Sequence, residues 1–488
     1  MDTRYLRDHA ETRGFMLGRP VRTKPTPDGK AVLFLRSEPR VPTLRLYEFE
    51  VATAETRELL SPESILQGAE ERLSAEEKAR RERQRVSLRG FTDFQISDDA
   101  KQILLGLSGK LYLLARADGK VTELTTGAGT LLDPKFSPDG RSVAYVLDHD
   151  LCVFDLSTQI EHRVTTGGSP ATTHGLAEFV AQEEMGRASG YWWSSDSRFI
   201  AFEEADASGV EVWYVADPAK PDQPAGRSFY PRPGKANVTV RLGIAPVAGG
   251  ETVWVDWDAQ RYPYLAQVNW PEHGPLTLTV QTRDQKELVL LRADPITGKT
   301  TPLAAERDAA WVNLHQDVPR WLDDASGFLW TSERKGAPRL ELRRADGQLV
   351  RVVVRRSEGF MGLIDVDGKS GQVVYAASAD PTQRQLYRVA LDRGAPMPLT
   401  NEAGLHSATF AKDHSIYVQQ SSLARGMPTT QVFRAGGEVI GELPSVAADP
   451  PFVPNDDIFK VGDGPGFHAV LVRPRNFDAK KRYPVILH

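Results

Sequence analysis

The chain has 488 residues, of which 40% are hydrophobic and 26% charged, the profile of an ordinary globular protein of about two to four domains. Its net charge of −5 argues against the basic footprint that nucleic-acid binding requires. A single cysteine, Cys152, excludes an internal disulfide and any cysteine-built metal cluster, and no apolar run is as long as a membrane-spanning helix.

Met1 to Arg7 carries no apolar stretch of the secretory-leader type. From Pro25 onward the pattern is a repeat. A turn built on Asp-Gly or a near relative leads into an apolar strand, a polar hairpin and a second strand. Thr26-Pro-Asp-Gly29 precedes Ala31–Leu35 and Leu44–Phe49. Ser97-Asp-Asp-Ala100, Ser137-Pro-Asp-Gly140 and Ser194-Ser-Asp-Ser197 each open a similar unit. Weaker copies begin near Leu276, Trp321, Asp365 and Ala411. Period-two alternation makes half-buried strands, and Asp-Gly supplies the positive φ that tight turns need. Units of about 40 residues with four short strands are the signature of a propeller blade, which must stack on its neighbours to bury both faces. The eight copies predict an all-β fold: an eight-bladed β-propeller with short helical insertions. Cys152, in the alternating run Leu151–Phe154, reads as a core residue.

Two segments interrupt the rhythm before the repeat ends. Leu73 to Arg85 has a capping-box spacing, Ser74 to Glu77, followed by strong helix formers. Its mixture of Glu76, Glu77 and Glu82 with five basic residues fits a solvated, ion-paired helix. Arg81 and Arg85, spaced i, i+4, would share a face able to grip a carbonyl or carboxylate, with Arg83 pointing away. The second segment is Gly175 to Ser197, with a short helix expected within Ala177 to Arg187. Glu183 and Glu184 lie there between Phe179, Val180 and the aromatic run Tyr191-Trp-Trp193. Adjacent carboxylates repel, and one pKa should rise unless a cation joins them. The apolar flanks therefore predict a pair placed to hold a buried cation, and a ligand ammonium has the donors to bond both acids.

Beyond Ile458, Phe467–Pro474 and Tyr483–His488 read as two strands around a charged Ala479–Arg482 turn. Tyr483-Pro-Val-Ile-Leu487 has the continuous apolar character of a strand buried on both faces. No serine sits in a Gly-x-Ser-x-Gly context, and there is no His-Glu-x-x-His, phosphate loop or EF-hand. The ten histidines show no ligand spacing, and His174 and His315 read as structural.

Gln182-Glu-Glu184 followed by Gly190-Tyr-Trp-Trp193 resembles the Glu-Glu motif of the dipeptidyl peptidase IV branch of the prolyl oligopeptidase family, nearest its dipeptidyl peptidase 8 and 9 type and bacterial members. Glu77–Arg85, Tyr230-Pro-Arg-Pro-Gly-Lys-Ala-Asn237, Trp311-Val-Asn-Leu-His315 and Arg482-Tyr-Pro-Val-Ile-Leu-His488 resemble further stretches of that branch. The resemblance implies residues 1–24 as a helical segment packing toward a hydrolase domain, 25–454 as the propeller, and 455–488 as the first strands of an incomplete α/β-hydrolase domain. It implies a serine-type enzyme releasing Xaa-Pro or Xaa-Ala dipeptides, with Ser, Asp and His beyond residue 488, so that these 488 residues alone are inactive. It assigns Glu183 and Glu184 to the substrate ammonium. For a substrate carbonyl, Arg85 fits the Arg-Glu-Arg-x-Arg pattern best, and Arg81 is the alternative. Two extended residues span about 7 Å, so acids anchored at that distance act as a ruler for cleavage after residue two.

No cofactor or metal is implied. The expected partner is a peptide with a free N-terminus; nucleic acid and a membrane span are not expected, and any homodimer would form through the hydrolase domain. Bacterial members are usually exported, so a periplasmic or secreted protein is expected if a leader was removed, and a cytoplasmic one otherwise. A non-catalytic peptide-binding propeller and an acylaminoacyl-peptidase or oligopeptidase relative are the alternatives.

Overall fold

The computed structural model describes residues 3–83, 85–464 and 466–488. Eight antiparallel sheets follow one another along these described residues, over 21–60, 94–123, 131–163, 172–254, 264–307, 320–354, 360–398 and 404–442. Each is a blade of an eight-bladed propeller with four main strands in sequence order. Blade 1 shows the plan, with Val21–Pro25, Ala31–Arg36, Thr43–Glu50 and Glu55–Leu60.

The repeated turn has a chemical cause. In Thr26, Ser97, Ser137, Ser194 and Thr282 the hydroxyl donates to the aspartate two residues on, at 2.6–2.7 Å. The same oxygen accepts the N–H of the residue five on, at 2.9–3.1 Å, which starts the next strand. The Ser/Thr-x-Asp pattern thus closes its own turn without help from the rest of the fold.

Blades stack through apolar seams. Leu33, Leu35 and Leu46 of blade 1 pack with Ile103, Leu105 and Leu114 of blade 2. The ring closes where Val32, Phe34 and Phe49 meet Ile416, Val418 and Val432 of blade 8. The seam between blades 7 and 8 carries polar ties: Arg388 donates to Ala435 O at 2.8 Å, and His414 Nδ1 lies 2.8 Å from Asp365. The first strand of blade 8 contacts those of blades 7 and 1, so first strands form the inner wall. The Lys412 ammonium of blade 8 reaches Asp98 of blade 2 at 2.9 Å and Glu272 of blade 5 at 2.7 Å. Blades this far apart around the ring can share one ammonium only near the axis, so one end of the channel is narrow.

Among the described residues four short α-helices stand outside the ladders: α1 Thr3–Glu11, α2 Pro62–Leu66, α3 Ala75–Arg83 and α4 Phe179–Glu183. In α1, Tyr5 packs on Phe452, 5.1 Å between ring centroids, so the start of the chain lies against the segment that follows blade 8. Past that segment, Asn455–Val461 and Phe467–Arg473 form an antiparallel hairpin. Residues 483–488 differ from the expectation of a buried strand. They have no ladder partner among the described residues, and Ile486 and Leu487 are almost fully exposed. An apolar run becomes a strand only where a neighbouring edge supplies its hydrogen bonds. No helix among the described residues is long and apolar enough to cross a membrane.

Candidate functional site

The innermost strand of blade 4 is interrupted. Thr172–His174 pairs with one half of Phe199–Asp206, and Tyr191–Trp193 pairs with the other half. Residues 175–190 leave the sheet between them and return, carrying α4 out of the inner edge. The base of this excursion is closed by two bonds of 2.8 Å, from Gly175 N–H to Glu203 O and from Glu203 N–H to Gly190 O. A Cβ at Gly190 would stand 2.3 Å from the Leu176 carbonyl carbon, so only glycine lets the two limbs meet.

This topology separates the acids from the aromatics beside them in sequence. Tyr191 and Trp193 are buried in the seam between blades 3 and 4. Glu183 and Glu184 ride on the excursion, and both are exposed. The expected buried cation site is therefore not what forms: the pair faces open space at the inner edge. Among the described residues, no hydrogen bond or ion pair engages either carboxylate. The neighbouring Gln182 is tied down, its Nε2 donating to Ala177 O at 2.6 Å.

Beneath α4 lies a buried charge cluster. Glu178 caps the helix, accepting the N–H groups of Val180 and Ala181 at 2.7 Å each. Its own N–H donates to Glu203 at 2.8 Å. Glu203 is fully buried and pairs with Arg187 at 2.5 Å, off the N–H direction, so the contact is ionic more than a shaped hydrogen bond. Burial, then the charge of Glu203, pushes the Glu178 carboxyl up to about 7, while Arg187 pulls the other way. Burial raises Glu203 as well, against the pull of Arg187. Two acids thus share one cation, and burial favours the protonated form of both.

The arginine segment arrives from blade 1. Ser74 caps α3 as its spacing predicts, accepting Glu77 N–H at 3.1 Å. The Glu77 side chain turns to Arg80 and Arg81, at 2.7 and 2.8 Å, in place of the reciprocal capping-box bond. Arg81 is buried and bridges Glu77 and Glu71, each at 2.8 Å. The helix ends at Arg83, and Arg85 follows in left-handed conformation with φ 54°, so Arg81 and Arg85 do not share a helical face. Gln84, between them, lies outside the described residues. The Arg85 side chain is exposed and has no hydrogen bond or ion pair among the described residues. Arg83, expected to point away, is the arginine that approaches α4. It lies 3.5 Å from Gln182 Oε1 and 5.6 Å from the Phe179 ring centre.

Two more pieces border the pair. Tyr230 packs edge-on to Phe179 at 5.1 Å, bringing the Tyr230–Asn237 turn to α4. Gln316 donates to Met185 O at 2.5 Å and joins the Trp311–Gln316 loop to the end of the excursion. In that loop His315 lies 2.8 Å from Glu333, a structural role, and His174 is likewise held between Asp150 and Glu204. Cys152 is buried and free. Among the described residues no group of three or more His, Cys, Asp or Glu side chains is placed to hold a metal ion. Arg187, Glu203, Glu178 and Gln316 were not singled out from the sequence. A lone arginine three residues after the acids was the one available signal; Gln316 left none.

Residues 96–426 match the family model described as the dipeptidyl peptidase IV (DPP IV) N-terminal region. The probable dipeptidyl-aminopeptidase B of Emericella nidulans is 25% identical over 409 residues, covering 72% of this chain and 43% of that protein. Dipeptidyl peptidase 8 of Mus musculus is 22% identical over an alignment of 523 residues, covering 85% of this chain and 58% of that protein. Among solved structures, Porphyromonas gingivalis dipeptidyl peptidase 4 matches with a TM-score of 0.79 at 22% identity, over 97% of this chain and 68% of that one, a likeness of fold. The chain spans about half the length of the curated relatives it matches.

Proposed function

This chain belongs to the dipeptidyl peptidase IV N-terminal region family, and we propose that its propeller is the part of a serine dipeptidyl peptidase that captures the substrate's free N-terminus. The observation that carries this reading is the unpartnered acidic pair on the inner edge of blade 4. Two adjacent carboxylates with no cation of their own repel each other. An incoming α-ammonium relieves that repulsion and offers three donors to the two acids. Each charge-assisted bond contributes about 1.5–3 kcal/mol.

Of the two arginines that the resemblance offers for a substrate carbonyl, Arg85 is the one left free. Arg81 is committed to Glu71 and Glu77, and releasing it would strand buried charge. With the amine fixed, the second peptide bond lies about 7 Å away. A nucleophile supplied there by residues outside this chain would cleave after the second residue, and Xaa-Pro and Xaa-Ala termini are the proposed substrates.

The test uses the full-length protein that carries this chain. Gly-Pro-anilide is expected to be hydrolysed, and its N-acetyl derivative is not. Glu183→Gln or Glu184→Gln should lower kcat/KM by roughly ten- to a hundredfold, the equivalent of one charge-assisted bond. The 488 residues alone are expected to turn over neither substrate. Hydrolysis indifferent to N-acetylation would favour an acylaminoacyl-peptidase or oligopeptidase relative. Peptide binding without turnover by the full-length protein would favour a non-catalytic propeller.

A further inference from the structure

A five-residue helix has too few internal bonds to keep its own shape or direction. The acids of α4 are useful only if something else holds them, and the contacts converge on Arg187. Its N–H donates to Ala181 O at 2.9 Å, in the body of α4. Its guanidinium is buried and reaches three separate places. Nε donates to Leu265 O, on the first strand of blade 5, at 3.2 Å. Nη1 donates to Ser189 O, on the returning limb of the excursion, at 2.9 Å. Nη2 pairs with Glu203 of blade 4 at 2.5 Å. Glu203 in turn holds Glu178, which caps the first turn of α4. Both ends of α4 are thereby referred to blades 4 and 5 through one planar cation, whose fixed fork suits several simultaneous partners.

We propose that Arg187 is a positioning residue for Glu183 and Glu184, one that fixes where the two carboxylates stand relative to the ring without touching substrate. The proposal rests on the reading of those acids as an amine anchor. Loss of the guanidinium leaves the fold of blades 4 and 5 in place but frees the excursion to shift. A displacement of about 1 Å at a positioning group can cost on the order of a hundredfold in rate. The loss should fall only on substrates that use the anchor.

The experiment compares two substrates on the full-length protein: Gly-Pro-anilide and the same molecule with hydrogen in place of the α-amino group. For Arg187→Met, kcat/KM for the amine substrate is expected to fall by roughly thirtyfold or more. The desamino analogue should change by less than about threefold, so discrimination between the two collapses. Arg187→Met leaves Glu203 buried and unpaired, so Arg187→Met/Glu203→Gln and Arg187→Lys are measured beside it. The double variant should show the same selective loss. Lysine restores the charge but not the three-way reach, and should recover part of the discrimination. Equal losses on both substrates, or no loss in any folded variant, overturn the proposal. Glu183→Gln and Glu184→Gln separate the two readings. If they leave discrimination intact, the amine anchor itself is wrong. If they abolish it while the Arg187 variants do not, only the positioning role fails.

Discussion

The α3 and α4 insertions both bring charged residues to the proposed site, but they are held in opposite ways. α4 is anchored to the bodies of blades 4 and 5 through Glu203 and Leu265, and to the following interblade loop through Gln316. α3 is held mainly by its own neighbourhood. Glu77 lies within the helix, and Glu71, just before it, binds both Arg81 and the backbone of Gly90 just after it. A segment tied to the scaffold presents its side chains in one place. A segment tied to itself can keep its shape while its position follows what it meets. The acids and Arg85 thus differ in how rigidly they are offered.

The largest expected effect tests the self-contained side of that contrast. Arg81→Met would leave Glu71 without its cation and Glu77 with Arg80 alone, and removing one partner of a buried pair costs about 3–5 kcal/mol. Because those partners are local, the damage should be local. Hydrogen exchange should show lost protection across residues 78–83, while the thermal transition of the propeller stays within about 2 °C, the small shift expected when little of the ring's stability is touched. A matching fall in the transition of the whole ring would break the comparison.

Glu178→Gln tests the anchored side. The Glu178 carboxyl is raised from 4.5 to about 7 by burial and by Glu203. A raised folded value means that the native state holds the proton more tightly than the unfolded chain. That contribution is fully present below pH 4.5 and is lost as pH rises through about 7. The loss is on the order of 3 kcal/mol. Glutamine cannot ionise, so the variant should lose less stability between pH 5 and pH 8 than the wild type does. Denaturant titrations of both proteins at the two pH values measure the difference. Parallel pH dependence in wild type and variant would mean that Glu178 is not the titrating member of the cluster.

The two insertions also mark where sequence reasoning works and where it stops. The blades were legible because each Ser/Thr-x-Asp turn closes itself with hydrogen bonds to residues two and five positions on. A short helix within Ala177–Arg187 was legible as well, although the Glu178 side chain that caps it at Phe179 was not recognised. The surroundings of the acids were not. Tyr191 and Trp193 are adjacent in sequence but belong to the sheet edge, whereas Glu183 and Glu184 belong to the excursion from it. That division depends on pairing with Phe199–Asp206, which neither segment reveals alone. The expected common face of Arg81 and Arg85 failed for a smaller reason. The i, i+4 rule assumes that the helix continues, and α3 ends two residues before Arg85.

The smallest effect sharpens the contrast most cleanly. Ser74 accepts one N–H at the start of α3, from Glu77, at 3.1 Å. Ser74→Ala should cost about 1 kcal/mol, the usual loss of an N-cap. If α3 is stabilised by its own contacts, that amount should appear as roughly fivefold faster exchange of its amides, since 1.4 kcal/mol corresponds to a factor of ten. The acids on α4 share no contact with Ser74, so the affinity of the Glu183–Glu184 pair for an amine should be unchanged. An altered amine affinity in Ser74→Ala would show that the two insertions are coupled, and the Arg83 contact to Gln182 at 3.5 Å is the route by which that coupling would run.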